Sequence, residues 1–146
     1  MQSVQEGTSV VYYFNRPINN GSQNFLIEYT VVGALRVYEG GDQLWWTAIP
    51  SDHYGFPIGS STVTVEMPSN SVPREGVDPV VTYGAPTNVT VAGNTVEAVA
   101  TRQLAGDESL EIRIQYPHNP DARVASWQAS FDSRRDFEES VKPIID

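Results

Sequence analysis

The stretch ESLEIRIQYP, residues 108–117, decides the fold class because apolar and polar side chains alternate along it. The odd positions from 111 to 115 carry charged or amide side chains. The even positions carry large apolar ones, namely Leu110, Ile112, Ile114 and Tyr116. Period-two alternation is the pattern of a β-strand with one buried face. The stretch therefore predicts a strand whose even-numbered residues lie in the core.

The same alternation runs through SQNFLIEYTVVGAL, residues 22–35. Its apolar positions on one side are Phe25, Ile27, Tyr29 and Val31. The preceding stretch SVVYYFNR, residues 9–16, is separated from it by a segment of Pro, Asn and Gly, which are turn residues. The simplest interpretation is an antiparallel hairpin that pairs residues 9–16 with residues 22–35.

Shorter alternating segments continue the pattern along the chain. They occupy residues 34–46, 60–68, 79–84, 87–93 and 94–103. Gly93 and Asn94 are typical of a hairpin turn between the last two segments. Seven to nine strands with turn signals about every ten residues predict an antiparallel β-sandwich.

The C-terminal part of the chain loses the period-two pattern. From Asp121 onward, Val124, Trp127 and Phe131 follow helical spacing, and Pro143 is a helix breaker. The sequence predicts one helix from about Val124 to Val141. It also predicts a division of the chain into a β-sandwich over residues 1–123 and a C-terminal helical, pre-membrane segment over residues 124–146.

Composition excludes several classes of function. The net charge is −9, and the nine basic residues form no patch, so binding to nucleic acid is not expected. The chain has no cysteine, which removes disulfides, thiol nucleophiles and zinc sites with Cys ligands. No calcium-loop pattern or phosphate-binding loop occurs. We expect no cofactor and no metal.

The candidate catalytic groups are few. His53, next to Asp52, and His118 both lie beside turn residues, and the pair Asp107 and Glu108 falls in a predicted turn. A catalytic triad or a pair of acids requires groups that converge in an enclosed place. We interpret these residues as solvated loop residues, so the sequence predicts no catalytic residue and no enzyme.

The stretch DQLWWTAIPSDHYGFPIG, residues 42–59, holds the candidate contact residues. Neighbouring residues of a strand face opposite sides, so only one of Trp45 and Trp46 points into the core. The other faces solvent or a partner, or is covered by Tyr54 or Phe56 of the following loop. The predicted ligand or partner contacts are Trp45, Tyr54, Phe56 and His53. A carbohydrate-binding module with exposed aromatic residues around Trp45 is the alternative.

The order of these motifs resembles that of a large prokaryotic family of predicted membrane proteins, the domain of unknown function DUF2207. The resemblance rests on the strand pattern Tyr-x-Val-x-Gly-Ala at residues 29–34, on Leu44-Trp45-Trp46, on Pro57-Ile58 and on Met67-Pro68. Downstream, RQLAGDESLEIRIQYP is similar to a family strand, and residues 124–146 resemble the segment that the family places before a transmembrane helix.

The resemblance implies an extracytoplasmic β-rich region and a membrane helix that follows it. This chain is then expected to be a piece of a membrane-anchored protein, on the extracytoplasmic face of the membrane. Its expected partners are a protein or envelope component, together with the neighbouring domain and the transmembrane helix of its own chain. The family carries no established activity, so the resemblance supplies no site residues.

Overall fold

The computed structural model describes residues 2–6 and 9–135, with side chains from residue 11 onward. These residues form nine strands and one helix. The strands are β1 (Gln2–Glu6), β2 (Ser9–Tyr13), β3 (Leu35–Arg36), β4 (Asp42–Ile49), β5 (Thr62–Glu66), β6 (Val80–Gly84), β7 (Thr87–Ala92), β8 (Thr95–Ala100) and β9 (Leu110–Tyr116). The helix, α1, covers residues 128–135 of the described chain. All strand pairs are antiparallel, so the predicted mostly-β fold with one C-terminal helix is confirmed.

The chain divides into two compact units, Met1–Thr30 and Val31–Asp146. In the first unit, β1 and β2 form a two-stranded antiparallel ladder. Its register runs from Gln2 opposite Tyr13 to Glu6 opposite Ser9. The second unit holds the remaining seven strands and the helix. The predicted boundary between residues 123 and 124 stays a prediction.

The predicted hairpin between residues 9–16 and 22–35 is wrong. β2 pairs with β1, and residues 21–31 contain no helix or strand. A strand needs a neighbour for its backbone N–H and C=O groups, and β2 finds one in the segment directly before it. Closing such a short loop costs less entropy than closing a longer one. Residues 22–31 thus keep a strand-like sequence without a strand.

Two sheets build the β-sandwich of the second unit. One has the order β3-β4-β9-β6 and the other has the order β5-β8-β7. The predicted hairpin at Gly93 is confirmed, because β7 and β8 pair from Thr87 opposite Ala100 to Ala92 opposite Thr95. Gly93 has φ 60°, a left-handed conformation that glycine adopts without steric cost.

The core lies between these two sheets. β9 alternates in burial along its whole length, as its sequence predicts, and its even-numbered residues are almost fully buried. Side chains of both sheets meet in one cluster: Val80, Val96, Ala98, Ile112, Ile114 and Tyr116, with Leu44, Trp46, Val63, Val65 and Met67 packed against them. Burying this apolar surface is the main stabilising term of the sandwich.

A second cluster closes one end of the sandwich. Ala85, Leu104 and Leu110 are buried there, and Ile49 and Ile58 pack against them. Ile58 and Leu104 exchange two backbone hydrogen bonds of 3.1 and 2.9 Å. The loop that follows β4 is therefore attached to the core at Ile58.

Helix α1 begins later than its predicted start at Val124. Residues 124–127 are not helical, and helix runs from residue 128 to residue 135 in the described chain. Ala122 N donates to Asn119 O over 3.0 Å, so the chain is still turning just before Val124. The predicted end at Val141 lies outside the described residues.

Candidate functional site

The pleat of β4 separates the two adjacent tryptophans. Trp46 pairs with Ile112 and packs against the core, whereas Trp45 pairs with Arg113 on the outer face of the sheet. Trp45 is half-buried, and its ring stacks on Tyr83 with 5.7 Å between centroids and 16° between planes. The strand geometry that the sequence predicts for this pair is confirmed.

Two arginines complete the surroundings of Trp45. The guanidinium carbon of Arg36 lies 4.9 Å from its ring centroid, and that of Arg113 lies 5.7 Å away. Cations over an indole ring are attracted by the negative face of the π system. The group Arg36, Trp45, Tyr83 and Arg113 is called the Trp45 face below. Sequence reasoning missed both arginines, because the ring contacts depend on which strands are neighbours.

The C-terminal segment is bound to the Trp45 face through Arg36. That guanidinium also lies 4.1 Å from the ring centroid of Phe131 and 5.7 Å from that of Trp127. Trp127 Nε1 donates to Gly33 O over 2.8 Å, and Tyr38 Oη donates to Asp132 over 2.7 Å. Trp127 and Phe131, which the sequence marks only by helical spacing, thus help to attach the segment to the sheet.

Gln128 fixes the same segment to the edge of β3. Its side chain is 3 % exposed, accepts from Val37 N over 2.8 Å and donates to Val37 O over 2.7 Å. One amide side chain therefore takes the place of a neighbouring strand for this residue. Residues 127–132 of the C-terminal segment are therefore packed on the sandwich.

The loop after β4 holds the three other predicted contact residues. Tyr54 is 90 % exposed and Phe56 is 71 % exposed. His53 places Nδ1 2.5 Å from Phe56 O and Nε2 3.0 Å from Glu108 O, so its ring holds the loop backbone against the loop before β9. Residues 52–59 are called the aromatic loop below.

The backbone of the aromatic loop is strained at its most exposed residue. Tyr54 has φ 58°, a left-handed conformation that a bulky side chain rarely adopts. Gly55, next to it, has φ 72°, and a side chain on Gly106 would collide with Gly55 O. Two loops in such close contact need a glycine at residue 106.

The structure does not bring Trp45 together with the aromatic loop. The ring contacts of Trp45 within the described chain are those of the Trp45 face, and they do not include Tyr54 or Phe56. The idea that Tyr54 or Phe56 covers Trp45 is therefore wrong. Since Tyr83 and Arg36 already pack on this ring, the carbohydrate-stacking alternative has no support from the geometry.

The acidic pair of the predicted turn does not form a pair of acids. Arg102 binds both carboxylate oxygens of Glu108, at 2.7 and 2.8 Å, and Ala105 N donates to the same carboxylate. These hydrogen bonds lower the pKa of Glu108 to about 2. Asp107 is exposed. A group with that pKa is a carboxylate at neutral pH and is a poor general acid.

A contact between a histidine and a buried carboxylate was not predicted. His118 Nδ1 lies 2.9 Å from Asp42 Oδ1, and Asn119 N donates to Asp42 Oδ2 over 2.9 Å. Asp42 is 5 % exposed, so the pair fixes the chain after β9 to the start of β4. The two residues are 76 positions apart, and only the register of β4 with β9 brings them together.

Two absences hold for the described residues, 2–6 and 9–135. They contain no cluster of three or more His, Asp or Glu side chains arranged to hold a metal ion. Among them there is also no helix with the length and hydropathy that a transmembrane span requires.

Comparison with known proteins gives one match. The model of a family described as predicted membrane protein (DUF2207), N-terminal domain, matches residues 2–116. No curated protein and no solved structure matches the chain. The matched residues cover most of the chain and all nine strands of its described part. The chain therefore belongs to the DUF2207 family of predicted membrane proteins, as its motif order indicated.

Proposed function

We propose that this chain is a non-catalytic contact domain of a membrane-anchored protein and that it lies on the extracytoplasmic face of the membrane. Its partner is a protein or an envelope component, which it binds through the aromatic loop. The neighbouring domain and the transmembrane helix of its own chain are its further partners. Membership of a family of predicted membrane proteins supports the membrane association.

The observation that carries the proposal is the conformation of Tyr54. Its side chain is 90 % exposed, and its backbone is held at φ 58°. Strained backbone of this kind costs roughly 1–3 kcal/mol and persists where the surroundings impose it, often at binding sites. Here the contacts of the His53 ring with two backbone carbonyls and the attachment of Ile58 to Leu104 impose it.

A loop held in this way is well suited to binding. Tyrosine and phenylalanine are large side chains with few rotatable bonds, and aromatic residues dominate the energy of many protein interfaces. Because the loop backbone is already fixed, less conformational entropy is lost when a partner binds. Tyr54 and Phe56 supply the exposed rings.

The surroundings of the acidic groups and the histidines support a non-catalytic role. Both ring nitrogens of His53 are directed at backbone carbonyls, and Glu108 forms an ion pair with Arg102. His118 is bound to a buried carboxylate that also accepts a backbone N–H. Each of these groups stabilises a loop.

The contact role is tested with the double variant Tyr54→Ala, Phe56→Ala in the membrane-anchored protein. We expect loss of the partner from chemical crosslinking in intact cells, with unchanged thermal stability of the domain. The control is Val77→Ala, which shortens an exposed side chain outside the loop. Equal recovery of partners by the double variant and the control would contradict the proposal.

The side of the membrane is tested separately. Thr90 is exposed on β7, so Thr90→Cys introduces one accessible thiol into a domain that has none. A membrane-impermeant maleimide added to intact cells should label it. Labelling only after the cells are opened would place the domain in the cytoplasm.

A further inference from the structure

The edge of β4 next to β3 is only partly paired. β9 pairs with β4 from Asp42 to Ile49, but β3 supplies only Leu35 opposite Leu44 and Arg36 opposite Gln43. Within the described chain, residues 45–47 of β4 therefore have a neighbouring strand on one side and none on the other. A free strand edge is a template for pairing with an extended segment.

Hydrogen-bond alternation identifies the groups on this edge. Gly41 N donates to Tyr38 O over 3.1 Å, which makes that pair hydrogen-bonded. In an antiparallel ladder every second pair is of this kind, so the backbone groups of residues 43, 45 and 47 point toward the β3 side. The backbone N–H and C=O of Thr47 thus face the free edge.

The outer edge of β3, on the side away from β4, is capped by a side chain. Gln128 takes both backbone groups of Val37, which face away from β4. The outer edge of β3 at Val37 is thus capped, whereas the edge of β4 beyond Leu44 has no neighbouring strand within the described chain.

The segment that fits this edge lies directly before β3. Continuing the β3–β4 register places Ala34 opposite Trp45, Gly33 opposite Trp46 and Val32 opposite Thr47. In the structure the chain leaves this course at a turn, where Gly33 has φ 74° and Val32 is 93 % exposed. A bulge between Thr47 and Ile49 ends the regular ladder beyond this point.

The side chains match the two faces of the sheet. Arg36 lies on the outer face with Trp45, and period two puts Ala34 and Val32 on the same face. Residue 33 falls on the core side beside Trp46, where glycine adds no volume. Glycine is also the residue that adopts both the left-handed turn and an extended strand readily.

We propose that the free edge of β4 at residues 45–47 is a strand-docking edge and that residues 32–34 of this chain occupy it in a second conformation, with Gly33 as the hinge. In the turned conformation the edge is open. In the extended conformation β3 lengthens toward the chain's N-terminus and covers the edge. The proposal does not depend on the contact role of the aromatic loop.

A disulfide tests the register, since the natural sequence contains no cysteine. In the double variant Val32→Cys, Thr47→Cys, the extended conformation brings the two Cα atoms to about 5.5 Å, within the range that a disulfide bridges. We expect loss of both free thiols under mild oxidation and an intramolecular crosslink. The control is Val32→Cys, Gln43→Cys, in which the second cysteine lies on the same face in the wrong register.

Each outcome of the crosslinking either supports or contradicts the docking edge. Crosslinking of the 32/47 pair without the 32/43 pair supports the docking edge. No crosslink at 32/47, equal crosslinking of both pairs, or a disulfide-linked dimer would each overturn it, the last because the edge would then accept another molecule.

A variant without cysteines gives an independent test. Gly33→Val disfavours the left-handed turn and favours the strand, so the Thr47 amide should exchange with solvent more slowly. Gly76→Val is the control for a side chain added at a left-handed glycine, since Gly76 has φ 80°. A Cβ at residue 33 would also lie 3.0 Å from Ala125 Cβ, whereas the space around Gly76 is open. If Thr47 exchanges at the same rate in Gly33→Val as in the control, the hinge does not exist.

Discussion

Two stretches with a similar alternating pattern adopt different structures in this molecule. Residues 110–116 form β9, which is paired on both sides and almost fully buried on one face. Residues 25–31 alternate in the same way apart from Leu26 but form no strand, and Leu26 is 84 % and Ile27 is 62 % exposed. Alternation gives a segment the ability to be a strand, and the neighbours decide whether it becomes one.

Size contributes to this difference between the units. A segment of 30 residues buries too small a fraction of its surface to form a stable core by itself. The second unit encloses its core between two sheets. The apolar side chains of the first unit therefore contribute little to its stability. Phe25, for example, is 54 % exposed and Tyr29 is 70 % exposed.

The largest expected effect comes from truncating the core. Ile114 is fully buried in β9, so Ile114→Ala should lower the free energy of unfolding by about 2–5 kcal/mol. Leu26→Ala in the first unit should change it by less than about 0.5 kcal/mol. Urea denaturation followed by tryptophan fluorescence measures both. Equal losses of unfolding free energy in the two variants would contradict the difference between the two units.

An intermediate effect is expected at the capped strand edge. Gln128→Ala leaves two buried backbone groups of Val37 without partners and should cost about 1–3 kcal/mol of unfolding free energy. The amide of Val37 should also exchange faster with solvent. Gln103→Ala, at an exposed position, is the control and should change neither quantity. An unchanged free energy of unfolding in Gln128→Ala would show that the cap on the sheet edge does not distinguish the second unit.

The smallest effect is expected from the surface ion pair. The pKa of Glu108 falls from an ordinary value of 4.5 to about 2 because Arg102 binds its carboxylate. The stabilisation is therefore complete above about pH 4.5 and is lost as the pH falls toward 2. Unfolding curves across this range should show less acid dependence in Arg102→Gln than in the wild type. Arg134→Gln, an exposed helix residue, should behave like the wild type.

Much of the fold could be predicted because its signals are local. The alternation in β5 and β9, the turn at Gly93 and the opposite faces of Trp45 and Trp46 each depend on neighbouring residues, and all are confirmed. β1 was missed, and the pairing of β2 was wrong, because pairing depends on which segment is nearest. Helix α1 begins at residue 128, after the turn that Asn119 and Ala122 close.

The candidate site, like the fold, could be predicted only where its residues are neighbours in the sequence. His53, Tyr54 and Phe56 are neighbours in the sequence, and the structure places them in one loop. Their role as contact residues stays a prediction, as does that of Trp45. The partners that hold these groups, Glu108 for His53 and Arg36 for Trp45, are distant or unmarked in the sequence.

The sequence by itself determined which segments prefer to be strands, which side of each strand is apolar and which family the motif order indicates. Only the tertiary structure decided which strands are neighbours, and with them the Trp45 face, the Gln128 cap and the strained Tyr54. The physical reason is that side-chain alternation is a property of one strand. Hydrogen-bond partners and ring contacts, in contrast, belong to pairs of segments whose distance in the chain does not fix their distance in space.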